Sequence, residues 1–565
     1  MKYRLFTITL LLIGCVFLYG FYESAQADPE FDYGSGIQIG ELTQQQQQDL
    51  FRLCKVWGFV KYYHPTIAKG DIDWDYELFR VMPEILKAKK EGAANSIMLK
   101  WINQLGKFEQ ATEVWSPEAA VKLEATTNWI KDEKQYGKKL STLLVKIQKA
   151  ERTEDHHYIS FAPNIGNPVF ENEKLYSNLD PKDEGHKLLA LFRYWNMIEY
   201  FFPYKHLMDD EWNVVLKEMI PQFVAAESGL AYKKALLTII GAISDTHANI
   251  WMQDEDLSTF WGKNILPIET KEIENEIIIT RILVDNPSSL GVAVGDVITK
   301  VNGRSIQKLI EEKAPFCPAS NRPTQMRDVC SKLLRTNNAE LNISIKGKGD
   351  VKLAALGVRE VNFWTKDIPA YRMLDDKIGC LYPASLKKGE INDIIEKLKS
   401  TDGLVIDLRC YPSDFIVFSL GNFLGTQSAE FVKFTYGTHG MPGVFQFTPK
   451  LRVGNPSDSY GKPIVILVDE TTQSQAEYTT MAFQSAPNVT VIGSTTAAAD
   501  GNVSPILLPG NIRTMISGIG VYYPDGTETQ RIGVRIDEKM RPTIAGIKAG
   551  KDELMERAMA ILAGK

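Results

Sequence analysis

Past its first 27 residues this 565-residue chain contains no apolar run long enough to cross a bilayer. Cysteine is scarce, and none of the six has the spacing of a zinc site. Positive charge is not in excess. The 64 lysines and arginines face 70 acidic residues, a net charge of −6, so the footprint of a nucleic-acid-binding surface is missing. Nothing in the sequence calls for a metal or an organic cofactor. What is present is 44% apolar residues, enough for substantial cores, and a length that suggests several domains of about 150 residues each.

The long apolar run is at the N-terminus. Lys2 and Arg4 precede a stretch, Leu5 to Tyr22, that is almost wholly apolar, and Ala25-Gln26-Ala27 supplies a small-x-small cleavage site before Asp28. Residues 1–27 read as a signal peptide, which makes the mature chain periplasmic or extracellular. The alternative is Leu12-Ile13-Gly14-Cys15, which resembles a bacterial lipoprotein box and would leave Cys15 acylated as an outer-membrane lipid anchor; an uncleaved anchor is a third reading. Export permits disulfides. Cys317 and Cys330, close together in a loop-rich stretch, are the expected pair, and Cys380 and Cys410 are expected as buried free thiols.

Two segments repeat. Leu50 to Leu86 and Leu188 to Phe223 align without a gap at an offset of 138 residues, matching Trp57 with Trp195, Tyr62 with Tyr200, Pro65 with Pro203, Trp74 with Trp212 and Pro83 with Pro221. Each copy reads as helix, Pro-marked loop and helix, with its aromatics in the core. The first lies in a helical region, 28–165, that opens on a glutamine run expected to start a helix. The second lies in 166–261 and continues into Asp245-Thr246-His247, where the first copy has no histidine. A histidine unmatched in its duplicate, beside an aspartate and a threonine, is a functional candidate.

Residues 262–356 read as a small β-rich domain with strands at Ile277 to Val284 and Val297 to Val301, a hairpin turn at Asn302-Gly303 and a helix at Gln325 to Leu334. The spacing of Gly291, Gly295, Asp296, Asn302 and Gly303 resembles a PDZ domain, a module that binds an extended peptide at a sheet edge. Residues 357–565 alternate strand and helix. Ile464 to Val468 is a strand, Asp469 to Gln473 a turn, Ser474 opens a helix through about Gln484, and Val489 to Ile492 is the next strand: a βαβ unit of a parallel sheet. A serine at that junction is either an N-cap or a nucleophile beside the free N–H groups of a helix start. Arg531 to Asp537 is expected to be extended.

The ordered set, a strand ending Asp407-Leu408-Arg409, then VDE followed by S-x-x-E at Ser474 and Glu477, then a VIG strand with Thr496, resembles the tail-specific, or C-terminal-processing, serine proteases. The PDZ-like stretch before it and RIGVRID after it agree. The resemblance implies an α/β, crotonase/ClpP-like protease core. It makes Ser474 the nucleophile and Glu477 the acid of its motif. The lysine of the Ser–Lys branch is missing: its place reads Thr496-Ala497-Ala498-Ala499-Asp500. The Ser–His branch, with tricorn-core and retinoid-binding-protein relatives, has a D-x-H motif where this chain has Asp245-Thr246-His247. That branch's histidine-orienting acid is here Gln530, with Glu528 or Glu477 as substitutes. The oxyanion hole falls to the N–H of Gln475 and to Cys410 or Tyr411 in the turn CYPSD, where family members often have glycines.

The resemblance therefore implies an exported serine peptidase acting on a polypeptide, with peptide recruited by the PDZ-like domain. A second reading is a peptide-binding protein on the same fold with weak or no turnover, favoured by the missing lysine, Gln530 and the altered turn. A third, a ligand carrier using the aromatic helices, competes with the core role of Trp57 and Trp195.

Overall fold

The computed structural model describes residues 30–565 apart from 91, 114, 154, 364–367, 458 and 565, so the signal segment and Cys15 lie outside the described residues. Among the described residues no helix is long and apolar enough to cross a membrane.

The first helix, α1 (Gln44–Tyr63), begins where the sequence supplies a capping box: Thr43 accepts from the Gln46 N–H, and Gln46 accepts from the Thr43 N–H. It is followed by α2 (Trp74–Leu86), and later by α3 (Glu184–Phe201), α4 (Trp212–Val224) and α5 (Gly229–Gly241). The starts and ends of α2 and α4 keep the 138-residue offset. So do their bonds. The indole of Trp57 donates to Trp74 O at 3.0 Å and that of Trp74 to Trp57 O at 2.9 Å; the indole of Trp195 donates to Trp212 O at 2.8 Å and that of Trp212 to Trp195 O at 3.0 Å. Each indole has its polar atom satisfied inside the core, which is what a buried tryptophan needs. The aromatic residues are core: Trp57, Trp74 and Trp195 are buried.

α1 meets α3 at equivalent positions. A Cβ on Gly58 would lie 1.9 Å from the side chain of Asn196, its counterpart in sequence offset, and Asn196 Nδ2 donates to Cys54 O at 3.0 Å. Close by, four buried charges lock the helices together. Lys61 pairs with Glu173 at 2.6 Å, and Arg193 with Asp75 at 2.5 Å and Glu173 at 2.8 Å. Burial works against the Asp75 charge, but the Arg193 and Lys61 cations outweigh it and hold its pKa below the usual carboxylate value.

The β-rich unit is an antiparallel sheet of β1 (Ile268–Ile273), β2 (Glu276–Ile282), β3 (Val297–Val301), β4 (Glu340–Ile345) and β5 (Gly349–Ala354), in the order β5-β4-β3-β2-β1. Asn302 and Gly303 have φ of 48° and 75°, the left-handed pair a tight hairpin turn requires. The helix α6 (Arg322–Leu333) lies along the edge strand β1, with Thr270 Oγ1 donating to Cys330 O at 3.4 Å. The disulfide expected between Cys317 and Cys330 is not formed; both are free and buried, as are Cys54, Cys380 and Cys410. Cys330 is held on α6 beside β1, while Cys317 belongs to the turn before that helix. Closeness in sequence does not orient two Cβ vectors for a bond.

The last unit carries a six-stranded sheet in the order β6-β7-β8-β9-β10-β13, formed by β6 (Tyr371–Met373), β7 (Ile378–Leu381), β8 (Gly403–Asp407), β9 (Ile464–Val468), β10 (Val489–Gly493) and β13 (Glu538–Lys539). All pairs but β6–β7 are parallel. The unbroken apolar run of β9 follows from burial on both faces. Val465 and Leu467 face Leu554 and Ala558 of the closing helix Glu553–Leu562. Ile464, Ile466 and Val468 face the opposite layer, which includes Phe423 and α7 (Gln475–Phe483). Between β10 and β13 a hairpin, β11 (Val503–Leu508) and β12 (Ile512–Ser517), reaches the helical region, where Arg193 Nη1 donates to Leu507 O at 2.9 Å. The stretch 531–537 is not extended throughout. Arg531 and Gly533 are left-handed, at φ of 65° and 85°, and the strand pairing begins only at Glu538.

Candidate active site

Ser474 sits between β9 and α7, at the carboxyl end of the parallel sheet. Its φ of 54° and ψ of −116° are unusual for a residue with a side chain. Such a conformation costs on the order of 1–3 kcal/mol and persists only where the surroundings hold it. They do: the Ser474 N–H donates to Ala499 O at 3.0 Å and to Glu477 Oε2 at 3.2 Å. The preceding turn is fixed by Thr472, whose hydroxyl donates to Leu408 O at 2.7 Å. A sharp strained strand-to-helix turn is the geometry that lifts a serine Oγ clear of the backbone.

Glu477 is fully buried and serves the backbone. Besides Ser474, it accepts from Thr496 Oγ1 at 2.5 Å and from the N–H groups of Ala498 and Ala499 at 2.8 and 3.0 Å. It fixes the segment to which Ser474 is bonded.

His247 is brought to the same segment. Thr246 Oγ1 donates to Ala497 O at 3.0 Å, two residues from the Ser474 partner Ala499. The His247 ring is buried, and its Nδ1 lies 2.9 Å from Ser517 Oγ. Ser517 Oγ in turn lies 3.0 Å from Asp245 Oδ1, and the Ser517 N–H donates to Asp245 Oδ2 at 2.6 Å. An ionised carboxylate only accepts, so the Ser517 hydroxyl donates to Asp245 and accepts from His247 Nδ1–H. This assigns the tautomer: Nε2 carries the lone pair. Burial lowers the His247 pKa below 6.5, against the opposing pull of Asp245, so the ring is neutral at neutral pH.

Gln530 does not join this group. Its Nε2 donates to Ser320 Oγ at 3.3 Å, and Ser320 is bonded to Thr246. Glu528 is also elsewhere, paired with Lys122 and His206. The side chain bonded to His247 Nδ1 is that of Ser517, which the sequence did not mark.

Among the described residues, no acceptor takes the N–H of Gln475 or of Tyr411. Gln475 Nε2 ties the helix start to the CYPSD turn by donating to Asp414 O at 2.8 Å. Cys410 is buried, with Sγ 3.4 Å from Asp407 O. Tyr411 is 56% exposed, and its side chain lies beside Ser474. Among the described residues no cluster of three or more His, Cys, Asp or Glu side chains is arranged to hold a metal.

The β-rich unit touches the same turn. Lys271 of β1 lies 3.2 Å from both Asp469 and Glu470, and Arg327 of α6 donates to Glu470 O and Gln473 Oε1 at 3.0 Å each.

Residues 377–540, which hold Ser474, match the model of peptidase family S41. Residues 377–540 thus carry an S41 peptidase domain. The curated carboxy-terminal-processing protease of Bartonella bacilliformis is 26% identical over 293 residues, which is 51% of this chain and 62% of that protein; the chain thus spans less than two thirds of that relative's length. Among solved structures, mature CPAF superposes with a TM-score of 0.53 at 13% identity, over 67% of this chain and 96% of that one. Mature CPAF complexed with lactacystin gives 0.52 at 13% identity, over 67% and 98%. These likenesses show a shared α/β protease fold.

Proposed function

We propose that this protein is a serine peptidase in which Ser474 is the nucleophile and His247 the general base. The observation that carries this reading is the Asp245–Ser517–His247 chain, which leaves Nε2 of a neutral imidazole free to accept a proton. As Ser474 Oγ bonds to the peptide carbonyl carbon, its proton passes to Nε2. The imidazolium then gives that proton to the leaving amine as the C–N bond breaks. Water, deprotonated by the same nitrogen, releases the acyl group. The carbonyl oxygen becomes negative on the way, and the unused N–H groups of Gln475 and Tyr411 are the proposed donors to it, with Cys410 as the other candidate of that turn.

The β-rich unit, residues 262–356, is the proposed PDZ-like peptide site, with the edge strand β1 and helix α6 as its walls. Lys271 and Arg327 join both walls to the turn that precedes Ser474, so a peptide bound there is also felt at the nucleophile. The chain is proposed to work after export, as the N-terminal segment suggests. A second reading, a peptide-binding protein without turnover, is favoured by the Tyr411–Ser474 contact and the CYPSD turn.

A mixed peptide library incubated with the purified protein and read by mass spectrometry separates the two. Cleavage products that vanish in Ser474→Ala support the peptidase. Peptides retained without cleavage, equally by wild type and Ser474→Ala, support the second reading.

A further inference from the structure

Two carboxyl groups are buried along the segment 496–500, and they are treated unequally. Glu477 has four donors: Thr496 Oγ1, the N–H groups of Ala498 and Ala499, and that of Ser474. Asp500, 1% exposed, has one, the Gly501 N–H at 2.6 Å from Oδ1; its Oδ2 has no partner among the described residues. Among the described residues no cation is paired with either. Two neighbouring carboxylates in a low-dielectric interior without a cation do not both stay ionised, and the one with fewer donors keeps the proton. Burial raises the Glu477 pKa too, but four donors oppose it; burial, and next the charge of Glu477, push Asp500 well above the ordinary carboxylate range, with only Gly501 opposing.

Asp500 is also joined to Ser474 through the backbone. It follows Ala499, whose carbonyl accepts from the Ser474 N–H. Its charge bears on Tyr411, whose side chain lies beside Ser474, and on Tyr478, one turn along α7. The other groups facing it are Tyr204 and Tyr523, both uncharged phenols at neutral pH. Acyl transfer at Ser474 develops negative charge on the oxyanion. A second carboxylate beside Glu477 would oppose that charge, whereas an uncharged acid with a spare O–H does not.

We propose that Asp500 is a positioning residue of the Ser474 site, kept as the uncharged acid, and that its ionisation switches Ser474 off. This rests on the serine-peptidase reading. The neutral acid sets an alkaline limit on reactivity that the Ser474–His247 pair alone does not have, since His247 is most basic where it is unprotonated.

The test follows the rate of fluorophosphonate labelling of Ser474 against pH in wild type and Asp500→Asn, together with the infrared difference spectrum between the two proteins. The expected result is a wild-type rate that falls on the alkaline side and an Asp500→Asn rate that is lower at neutral pH but has no such fall. The infrared difference at neutral pH should contain the C=O stretch of one protonated carboxyl, lost over the same alkaline range. A carboxylate signal at neutral pH, or the same alkaline fall in both proteins, overturns the proposal. A folded wild type that never labels would instead overturn the serine-peptidase reading and with it the positioning role, while the infrared band still decides whether Asp500 carries the proton.

Discussion

Ser517 Oγ stands between Asp245 Oδ1 and His247 Nδ1, at 3.0 and 2.9 Å, while Oδ1 and Nδ1 are 3.8 Å apart and the His247 backbone N–H donates to the same Oδ1 at 3.0 Å. The serine transmits the orientation, and the carboxylate fixes the serine through its backbone N–H as well.

Ser517→Ala should therefore leave the fold intact and slow the reaction of Ser474. The expected loss is roughly 10–100-fold in kcat with little change in KM, the usual scale for losing an orienting hydrogen bond. Steady-state kinetics on a cleaved peptide, or the rate of fluorophosphonate labelling, measures it. An unchanged rate would mean that Ser517 orients nothing.

The pH dependence has a definite sign. Burial lowers the His247 pKa from 6.5 and Asp245 raises it in part. On the proposed mechanism the neutral ring is the active form, so the acid limb of the rate profile should lie below pH 6.5. Asp245→Asn removes the raising charge and should move that limb lower still. For stability the same depression acts in one direction: the contribution is full above the unfolded value near 6.5 and is lost as pH falls through the folded value.

Gly58→Ala should destabilise the helical region, because the new Cβ falls 1.9 Å from Asn196 at the α1–α3 crossing. Overpacking of this kind costs about 1–3 kcal/mol. Thermal unfolding of Gly58→Ala, Asn196→Gly and the double variant checks it. The double variant should be more stable than the two single losses added together, since the clash is then gone.

Arg193→Met should cost more, about 3–5 kcal/mol, because it leaves Asp75 and Glu173 buried with only Lys61 opposite them. It also removes the bond to Leu507 O on the hairpin that carries Ser517. Denaturant unfolding gives the first effect, and reactivity of the folded fraction the second.

The parts legible in sequence are those built from neighbours. Ile464 to Val468 is apolar on both faces because both faces are covered, and Ser474 marks the strand-to-helix turn by position alone. The paired tryptophans repeat because the same indole-to-carbonyl bonds are made in each copy. Ser517 was hidden: it is one small residue at the end of a hairpin strand, and its partner is 270 residues away. Gln530 was read from motif spacing, but a spacing does not give a side chain's direction, and the left-handed turn at Arg531 sends Gln530 to Ser320. That same turn breaks the extended reading of 531–537, where alternating apolar residues imitated a strand.

The central claim is that Ser474 is a nucleophile activated by His247. The most direct measurement is fluorophosphonate labelling of the folded protein followed by peptide mapping, in wild type, Ser474→Ala and His247→Ala. A single label on Ser474, absent in Ser474→Ala and strongly reduced in His247→Ala, is the predicted result. A folded wild type that takes no label, or a label on Ser474 that is indifferent to His247, would contradict it.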